Sequence, residues 1–372
     1  MRPRELYLKL KGLQSLKRTE RTDRSRISLP LRRRAWLWRR GFLSRSEVLY
    51  DLNEQTYRDY VSDYQRYVNT RLINGTWSIA LKNKLMFHWM MQPFDAHRMT
   101  VHGILRDGGF HPIDLVQPPR IPAGDPPGEA ELLVSDRSYD REWVIETLEE
   151  RPLVLKWIQG GGGNNVLVCR HTDAGFVVNG EHLTRDAFDE RLEGLGDYLV
   201  CEYVEQGSIS ADLYPETPNT LRIITMYDAD AGESFIPAAV HRIGTDVSYP
   251  MDNFLQGGLS AAIDPASGTL SGAAQLPLDG ELVWHPNHPD TGASIEGTHI
   301  PKWDAIQQRI LELADLHWYL PYVGWDLILT DDRAGFKIIE ANSYPGLHSI
   351  QVHGPMLTDD RTRSFYERHD VV

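Results

Sequence analysis

Near the C-terminal end of the chain, two apolar runs are separated by a short polar turn. The segment is GWDLILTDDRAGFKIIEANSYPG, residues 324–346, and its turn is TDDRAG. Two runs of this kind around a turn rich in Asp and Gly predict a β-hairpin. The hairpin would place Asp326, in the first run, beside Glu340 and Asn342 in the second. Residues two apart in a strand share a face, so Glu340 and Asn342 project together.

The three side chains bring hard oxygen donors to one point. Two carboxylates and an amide suit Mg²⁺ that is also bound by the phosphates of a nucleotide. The alternative is an edge hairpin whose acidic side chains are simply solvated. The hairpin alone does not decide between these two interpretations.

Charge is distributed unevenly along the 372 residues. The net charge is −13, yet residues 1–45 hold fifteen Lys and Arg against three Asp and Glu. Residues 31–43, LRRRAWLWRRGFL, interleave Trp36, Trp38 and Phe42 with arginines. This basic arm could contact an anionic membrane surface, bind an anionic substrate, or pair with the acidic remainder of the chain. Nucleic acid is not an expected partner, because no recognition motif follows and the rest of the chain is acidic.

The sequence carries no apolar run of about 18 residues, and its basic N-terminus is not followed by an apolar segment. Its two cysteines, Cys169 and Cys201, lack metal-ligand spacing and lie in Val-rich runs. Buried, reduced thiols are therefore expected. A cytoplasmic protein is the simplest expectation, with a peripheral position at the inner membrane face as an extension of it.

Hydrophobic periodicity predicts an α+β protein with mainly antiparallel sheets, preceded by a mainly helical N-terminal region. The apolar spacing of residues 46–74 predicts one or two helices, and that of residues 77–94 predicts a further helical stretch. Residues 110–130 are rich in Pro and Gly and predict a loop. Strand-like runs then dominate to the end of the chain. The expected domains are a basic arm (1–45), an N-terminal helical or α+β subdomain (46–145), a small subdomain with a glycine-rich loop (146–205) and a large subdomain with the metal site (206–372).

A lysine and four glycines follow one buried strand. Lys156 ends the run LVLKWI, and Gly160, Gly161, Gly162 and Gly163 precede the next strand. Glycine lets the backbone approach a ligand closely, and a turn of backbone N–H groups can bind phosphate oxygens. The alternative is an ordinary flexible hairpin turn. The segment is not a Walker A loop, which requires Lys-Ser/Thr and a following helix.

Further candidates lie at strand ends and in strands. Glu202, Tyr203, Val204 and Glu205 follow the strand YLV, where backbone groups could bind an adenine edge. Arg222 and Arg242 lie in apolar runs, where an arginine either forms a structural ion pair or points into a cleft to bind a transferring phosphoryl group. Asn253 precedes a Gly-Gly turn and is included among the catalytic candidates. His285 and His288 are expected in a turn rather than at a metal.

Taken together, these residues show that the chain resembles the ATP-grasp enzymes, and specifically the sugar-transfer-associated ATP-grasp family. The resemblance covers about residues 80–350 and rests on motifs that occur in order: Asn83-Lys84, Lys156 with its glycines, Glu202-Tyr203-Val204, PNTLRIIT, DNFLQGGLSAAID, HPDTG with IPKW, GWDLIL and IIEANSYPG. Two positions depart from the family pattern. Trp157 stands where relatives usually have Pro, and Asn83 where many have Asp.

The resemblance implies that ATP binds between two α+β subdomains. Lys84 and Lys156 would contact its phosphates and adenine, Glu202 to Glu205 would line the hinge, and Gly160 to Gly163 would close over the triphosphate. Asp326, Glu340 and Asn342 would hold Mg²⁺, and Arg222 and Arg242 would stabilise the transferring phosphoryl group. The acid that binds ribose stays open between Glu205 and Asp212.

The activity that the resemblance implies is ADP-forming ligation of a carboxylate substrate to an amine, a thiol or another nucleophile through an acyl phosphate. The pathway it suggests is cell-surface polysaccharide, glycan or glycolipid synthesis, with a sugar-linked or lipid-linked acceptor. Two alternatives remain at this point: a phosphotransferase acting on a sugar, and a non-catalytic ATP-binding scaffold. Many ATP-grasp proteins are dimers, so a homodimer is one expectation for the assembly.

Overall fold

The fold is given by a computed structural model that describes residues 3–113, 140–160, 165–276 and 281–372. Most of the predicted loop at 110–130 therefore lies outside the described residues. The chain divides into two compact units. The larger unit comprises Met1–Leu81, Phe94–His97 and Glu205–Val372, and the smaller unit comprises Lys82–Pro93 and Arg98–Val204.

The α-helices of the described residues mark the beginning of the chain, the flanks of the sheets and the C-terminal end. In chain order they are α1 (Pro3–Arg26), α2 (Leu31–Arg39), α3 (Ser46–Leu49), α4 (Ser78–Lys82), α5 (Lys84–Met90), α6 (Glu142–Glu150), α7 (Arg185–Glu193), α8 (Ser208–Leu213), α9 (Trp303–Leu316), α10 (His348–Gln351) and α11 (Asp360–Arg368). None of them is both long enough and apolar enough to cross a membrane.

The smaller unit is built on a seven-stranded antiparallel sheet of order β2-β1-β7-β3-β4-β5-β6. Its strands are β1 (Val101–Arg106), β2 (Gly109–Pro112), β3 (Leu153–Trp157), β4 (Val166–Thr172), β5 (Gly175–Val178), β6 (Glu181–Leu183) and β7 (Tyr198–Glu202). Apolar side chains of α6 and α7, among them Ile145 and Phe188, pack with Leu155 and Val200 in one core. Cys169 and Cys201 are buried free thiols, as predicted.

The larger unit contains a second seven-stranded antiparallel sheet, of order β12-β11-β10-β9-β8-β13-β14. Its strands are β8 (Thr220–Asp228), β9 (Glu233–Ile243), β10 (Leu259–Ile263), β11 (Leu270–Gln275), β12 (Val283–His285), β13 (Tyr322–Leu329) and β14 (Phe336–Asn342). The α+β class, the antiparallel sheets and the hairpin β13–β14 are confirmed. In the hairpin, Asp326 lies opposite Glu340 and Gly324 opposite Asn342.

The N-terminal segment is helical and contributes to the core of the larger unit. Leu37 and Phe42 are 0% and 1% exposed and cluster with Phe254, Ala274 and Val352. The basic arm is thus part of the fold. Several of its arginines pair with nearby acids: Arg33 with Glu47, Arg34 with Glu20, Arg40 with Glu54 and Arg45 with Asp23.

Residues 46–74 differ from the prediction of one or two helices. The structure forms the four-residue α3, short 3₁₀ turns and a π-helical turn at Gln65–Asn69. One reason lies in tertiary hydrogen bonding. The side chain of Gln351 accepts from the backbone N–H of Val61 at 2.8 Å and donates to its carbonyl oxygen at 3.0 Å. The Val61 backbone is therefore paired by a side chain 290 positions away, not by a helix.

Candidate functional site

The hairpin β13–β14 carries the proposed oxygen donors of the larger unit. Asp326 is buried, while Glu340 and Asn342 are half-buried. The Asn342 Nδ2 atom donates to Asp326 Oδ2 at 3.1 Å. Because Asp326 and Glu340 are direct cross-strand neighbours, the strand register alone brings two carboxylates and one amide together.

A buried arginine on the neighbouring strand pairs with Asp326. Arg222 lies opposite Asp326 in the β8–β13 register. Its Nε donates to Asp326 Oδ1, and its Nη2 donates to Oδ2 at 2.8 Å. This is the bidentate geometry in which a planar guanidinium binds a carboxylate best. Arg222 therefore forms a structural ion pair in this structure. The pair lies beside the proposed metal ligands, so the interpretation of Arg222 as a phosphoryl-binding residue also stays open.

Arg242, on β9, extends the cluster by one strand. Its Nη2 lies 3.5 Å from Asp326 Oδ1, and its Nε lies 3.6 Å from Asp252 Oδ2. Its Nε also donates to Thr220 Oγ1 at 2.9 Å. The buried carboxylate of Asp252 accepts in turn from the Thr220 backbone N–H at 3.0 Å. Arg242 therefore bridges two acids without a close bidentate bond to either.

The two buried acids respond differently to this environment. Burial acts to raise the pKa of Asp326, but the charges of Arg222 and Arg242 and the hydrogen bonds from Arg222 and Asn342 hold it below the ordinary value. For Asp252, burial dominates and raises the pKa despite the nearby charge of Arg242. Asp326 is thus kept ionised, which is the state that a metal ligand requires.

The third catalytic candidate, Asn253, has a different local role. Its side-chain oxygen accepts from the backbone N–H of Leu255 at 3.1 Å and caps the 3₁₀ turn Phe254–Gln256. Gly257 ends that turn at φ 102°, and a Cβ on Gly258 would lie 2.9 Å from the Asp252 carbonyl oxygen. Glycine is therefore required where the turn folds back against Asp252. The structure joins Asp252, not Asn253, to Arg242.

The donor set of the hairpin fits Mg²⁺ by its chemistry. Asp326, Glu340 and Asn342 offer carboxylate and amide oxygens, which are the ligands that this hard cation prefers. Among the described residues, no group of three or more His, Cys, Asp or Glu side chains is arranged to hold a metal. The third ligand would therefore be the amide. His288 lies in the loop after β12, and its Nε2 donates to the Gly244 carbonyl oxygen at 2.8 Å. The expectation of a turn was wrong for His285, which ends β12 because its segment pairs with β11.

In the smaller unit, the two lysines approach the same region. Lys156 is buried on β3 with its Nζ 3.4 Å from Met99 Sδ, and Lys84 Nζ donates to the carbonyl oxygen of Gly160. Burial raises the pKa of Cys201 to about 11, and both lysine charges act against that shift. The structure therefore brings Lys84, Lys156 and Gly160 together. Gly161, Gly162 and Gly163 lie outside the described residues.

The segment that follows β7 also belongs to this unit up to Val204. The Glu202 side chain accepts from the Thr100 backbone N–H at 2.8 Å, and Tyr203 stacks under the Arg170 guanidinium at 4.6 Å. Val204 is buried and Glu205 is exposed. The division between the two compact units falls between these last two residues.

Two members of the larger-unit cluster were absent from the sequence prediction. Thr220 and Asp252 hold Arg242 in place, yet neither has an informative spacing from it. A signal does exist for Thr220: it lies two residues before Arg222 in the same strand, so the two side chains share a face. No spacing identifies Asp252, because it follows an irregular turn. The signal for Asp252 is its place at the start of the motif DNFLQGGLSAAID.

Comparison with known families gives one match to a family model. Residues 128–364 match the family described as sugar-transfer associated ATP-grasp. No curated protein matches the chain significantly.

Several solved structures are similar at low sequence identity. They include N5-carboxyaminoimidazole ribonucleotide synthetase in complex with ADP (12% identity, 80% of this chain and 58% of that chain, TM-score 0.41). An L-amino acid ligase from Bacillus licheniformis is 11% identical over 79% of this chain and 51% of that chain, with a TM-score of 0.38. The D-alanine–D-alanine ligase from Bacillus anthracis is 11% identical over 82% of this chain and 77% of that chain, also with a TM-score of 0.38. These scores are low, so the family match rests on the sequence.

Proposed function

This chain belongs to the sugar-transfer associated ATP-grasp family, and from that premise we propose that it is an ATP-dependent, ADP-forming ligase. Its substrates would be a carboxylate and an amine, thiol or other nucleophile. The observation that supports the proposal best is the cluster of Asp326, Arg222 and Arg242 beside Glu340 and Asn342. Paired cations and hard oxygen donors in one place are what phosphoryl transfer requires of a protein.

The proposed reaction has two steps. A carboxylate oxygen of the substrate attacks the γ-phosphorus of ATP, the bond from that phosphorus to the bridging oxygen breaks, and ADP leaves. The nucleophile then attacks the acyl carbon, phosphate departs, and the nucleophile gives up its proton. No covalent bond to the protein is needed, so the side chains contribute by binding and by charge.

The residues take separate parts in this scheme. Asp326, Glu340 and Asn342 would hold Mg²⁺, which when bound neutralises charge on the phosphates of ATP. Lys84, Lys156 and the glycines Gly160 to Gly163 would bind the phosphates. Glu202, Tyr203, Val204 and Glu205 would bind the adenosine portion.

Arg242 is the stronger of the two arginine candidates for the transferring phosphoryl group. Both Asp326 oxygens are bonded to Arg222, so use of Arg222 on a phosphate requires exchange of that ion pair. Arg242 lies 3.5 Å or more from its carboxylate neighbours and can turn toward an anion at lower cost. Asn253 remains a candidate that would act through the turn it caps.

The acceptor is proposed to be an amino sugar or another sugar-linked intermediate of cell-surface glycan synthesis. Support comes from the family description, which associates these proteins with sugar transfer. A lipid-linked intermediate would give residues 1–45 a role at an anionic membrane surface. That role is supported by apolar side chains on the outer face of α1, where Leu6, Tyr7, Leu10 and Leu13 are 47%, 54%, 50% and 42% exposed.

The test is release of ADP and phosphate from MgATP in the presence of pairs of carboxylates, amino sugars and sugar nucleotides. A ligase releases both products only when a matching pair is present, and Asp326→Asn abolishes the release. Asp173→Asn, which changes an exposed acid of the smaller unit, is the matched control and retains it.

Two other outcomes would contradict the proposal. ADP without free phosphate, with phosphate recovered on a sugar, would identify a kinase. Binding of ATP with no turnover by any pair would favour a scaffold.

A further inference from the structure

Two arginines of the larger unit lie beside the segment that follows Asn342, and neither pairs with an acid among the residues that the structure describes. Arg66 Nε donates to the carbonyl oxygen of Pro345 at 3.2 Å, and Arg66 Nη2 donates to that of Tyr344 at 3.4 Å. Arg71 Nε donates to the Tyr67 carbonyl oxygen at 2.8 Å, and Arg71 Nη2 donates to Ser15 Oγ at 3.2 Å. Within the described part of the chain, both guanidiniums therefore meet only neutral oxygens.

Both guanidiniums also lie near one aromatic ring. Arg71 lies over the Tyr344 ring at 4.3 Å, and Arg66 lies 5.8 Å from the same ring. Both side chains are half-buried. Burial and the neighbouring charge of Arg66 lower the pKa of Arg71. Holding two like charges near each other in partial isolation from water is unfavourable, and an anion bound beside them would offset that cost.

The backbone around Arg66 is irregular. Arg66 lies in the π-helical turn Gln65–Asn69. Single π-turns widen the helix by one residue and occur often at functional sites. The turn leads from Arg66 toward Arg71 five residues later, and both side chains reach the Tyr344 ring.

The arginine pair is adjacent to the proposed catalytic cluster. A Cβ placed on Gly324 would lie 2.6 Å from Pro345 Cβ and 3.5 Å from Arg222 Cδ. Pro345 and Arg222 therefore flank the same point of β13, and Arg66 binds the backbone of Pro345.

The segment itself is held in place independently of Arg71. Asn74 is buried, and its Nδ2 donates to the carbonyl oxygens of Tyr322 at 2.6 Å and of Ser343 at 3.2 Å. Its Oδ1 accepts from the Tyr322 backbone N–H at 3.1 Å. Asn74 thus ties the start of β13 to the end of β14. Arg71 is not needed for that connection, so its charge is available for a ligand.

We propose that Arg66 and Arg71 form a binding subsite for an anionic oxygen group, a carboxylate or a phosphate, of a substrate. The planar guanidinium offers parallel N–H donors that match either group. The identity of the ligand as a substrate rests on the proposed function, whereas anion binding by the pair does not. The subsite would hold a substrate by its anionic end beside the residues proposed to act on ATP.

The experiment measures anion binding to the full chain with simple probes. Inorganic phosphate is titrated with ³¹P line width as the readout, and acetate is titrated separately with ¹H line width. Arg71→Gln is expected to raise the dissociation constant of the Arg71-dependent site at least about tenfold, the effect of losing one charge-assisted hydrogen bond. Arg71→Lys keeps the positive charge but lacks the parallel N–H donors of the guanidinium. It should therefore raise the dissociation constant by less than Arg71→Gln does. Tighter binding of phosphate than of acetate would identify a phosphate subsite, and tighter binding of acetate would identify a carboxylate subsite.

Ser15→Ala is the matched control. It removes the only described side-chain partner of Arg71 Nη2 without changing charge, so it should leave both titrations unaltered. Equal weakening by Ser15→Ala and Arg71→Gln would assign Arg71 a structural role and overturn the proposal. Titrations of wild type and Arg71→Gln that coincide would also overturn it.

Titration with MgATP separates this proposal from the proposed function. Arg71→Gln should bind MgATP as wild type does. If wild type binds no MgATP while Arg71-dependent anion binding persists, the ligase proposal fails and the subsite stands. If MgATP binds and no Arg71-dependent anion binding is found, the subsite fails alone.

Discussion

At the scale of single residues, Asp326 is constrained by opposing requirements. Removal of a carboxylate from water is costly, and Arg222 offsets that cost through a bidentate bond. The same carboxylate is proposed to bind Mg²⁺, so the ion pair with Arg222 would compete with the metal for Asp326. A buried pair of this kind is costly to break on one side only, because the remaining charge loses its partner.

Asp326→Asn is therefore expected to lower the free energy of unfolding by about 3 kcal/mol, since it leaves Arg222 buried and unpaired. The double change Arg222→Met with Asp326→Leu should recover most of that loss, because apolar side chains of similar volume need no partner. Denaturant unfolding measures both effects. Asp173→Asn, at an exposed turn, should change stability by less than about 0.5 kcal/mol. An Asp326→Asn protein as stable as wild type would contradict the buried pair.

At the scale of elements, α1 presents two different faces. One side carries Gly12, where a Cβ would lie 2.4 Å from the Tyr67 carbonyl oxygen, and it packs closely in the larger unit. The opposite side carries Leu6, Leu10 and Leu13 at helical spacing, followed by Lys17, Arg21 and Arg24. Arg24 lies 5.9 Å from the Trp38 ring, which continues the exposed apolar surface onto α2. Apolar side chains beside cations are typical of helices at an anionic membrane surface.

The double substitution Leu10→Glu with Leu13→Glu should abolish co-sedimentation with vesicles of phosphatidylglycerol and phosphatidylcholine. It removes apolar contact and adds repulsion from the lipid headgroups. Leu316→Glu is the matched control, because Leu316 is an exposed leucine of α9 at 52%. It should leave binding unchanged.

Equal binding by wild type to pure phosphatidylcholine would argue against electrostatic attraction. Loss of self-association, with vesicle binding unchanged, would indicate that a second copy of the chain contacts α1.

At the scale of the whole molecule, the larger unit is assembled from distant parts of the chain. Its core joins Leu37 and Phe42 from the N-terminal segment to Val352 near the C-terminal end. The smaller unit draws its sheet from Val101–Arg106 through Tyr198–Glu202 and has a core of its own. The two units therefore depend on the N-terminal residues to different degrees.

A chain that begins at residue 46 is expected to lose the cooperative unfolding of the larger unit, because buried Leu37 and Phe42 are missing from its core. The smaller unit should stay folded. Limited proteolysis with mass spectrometry would then yield a protected fragment within residues 82–204. A chain that begins at Glu5, which removes only the first four residues, should resist proteolysis as the full chain does. Protection of residues 205–372 in the shorter chain would contradict this dependence.

The sequence predicted the hairpin and its three polar side chains correctly because both signals are local. Strand periodicity determines that Glu340 and Asn342 share a face, and a turn between two apolar runs brings Asp326 opposite Glu340. Short strands such as β6 and β12 cannot be predicted in this way, because three residues carry too little periodicity to recognise. Residues 46–74 were assigned to helices because their apolar spacing gave no sign of the pairing with Gln351.

By itself, the sequence determined the α+β class, the antiparallel strands, the hairpin with its oxygen donors and the resemblance to the family to which the chain belongs. These follow from patterns within short segments and from ordered motifs. Only the tertiary structure decided that Arg222 pairs with Asp326, that Asp252 contacts Arg242, and that Arg66 and Arg71 lie beside Tyr344. Those contacts join segments that are far apart in the chain or related by an irregular turn. Their partners are chosen by sheet register and packing, which no local pattern encodes.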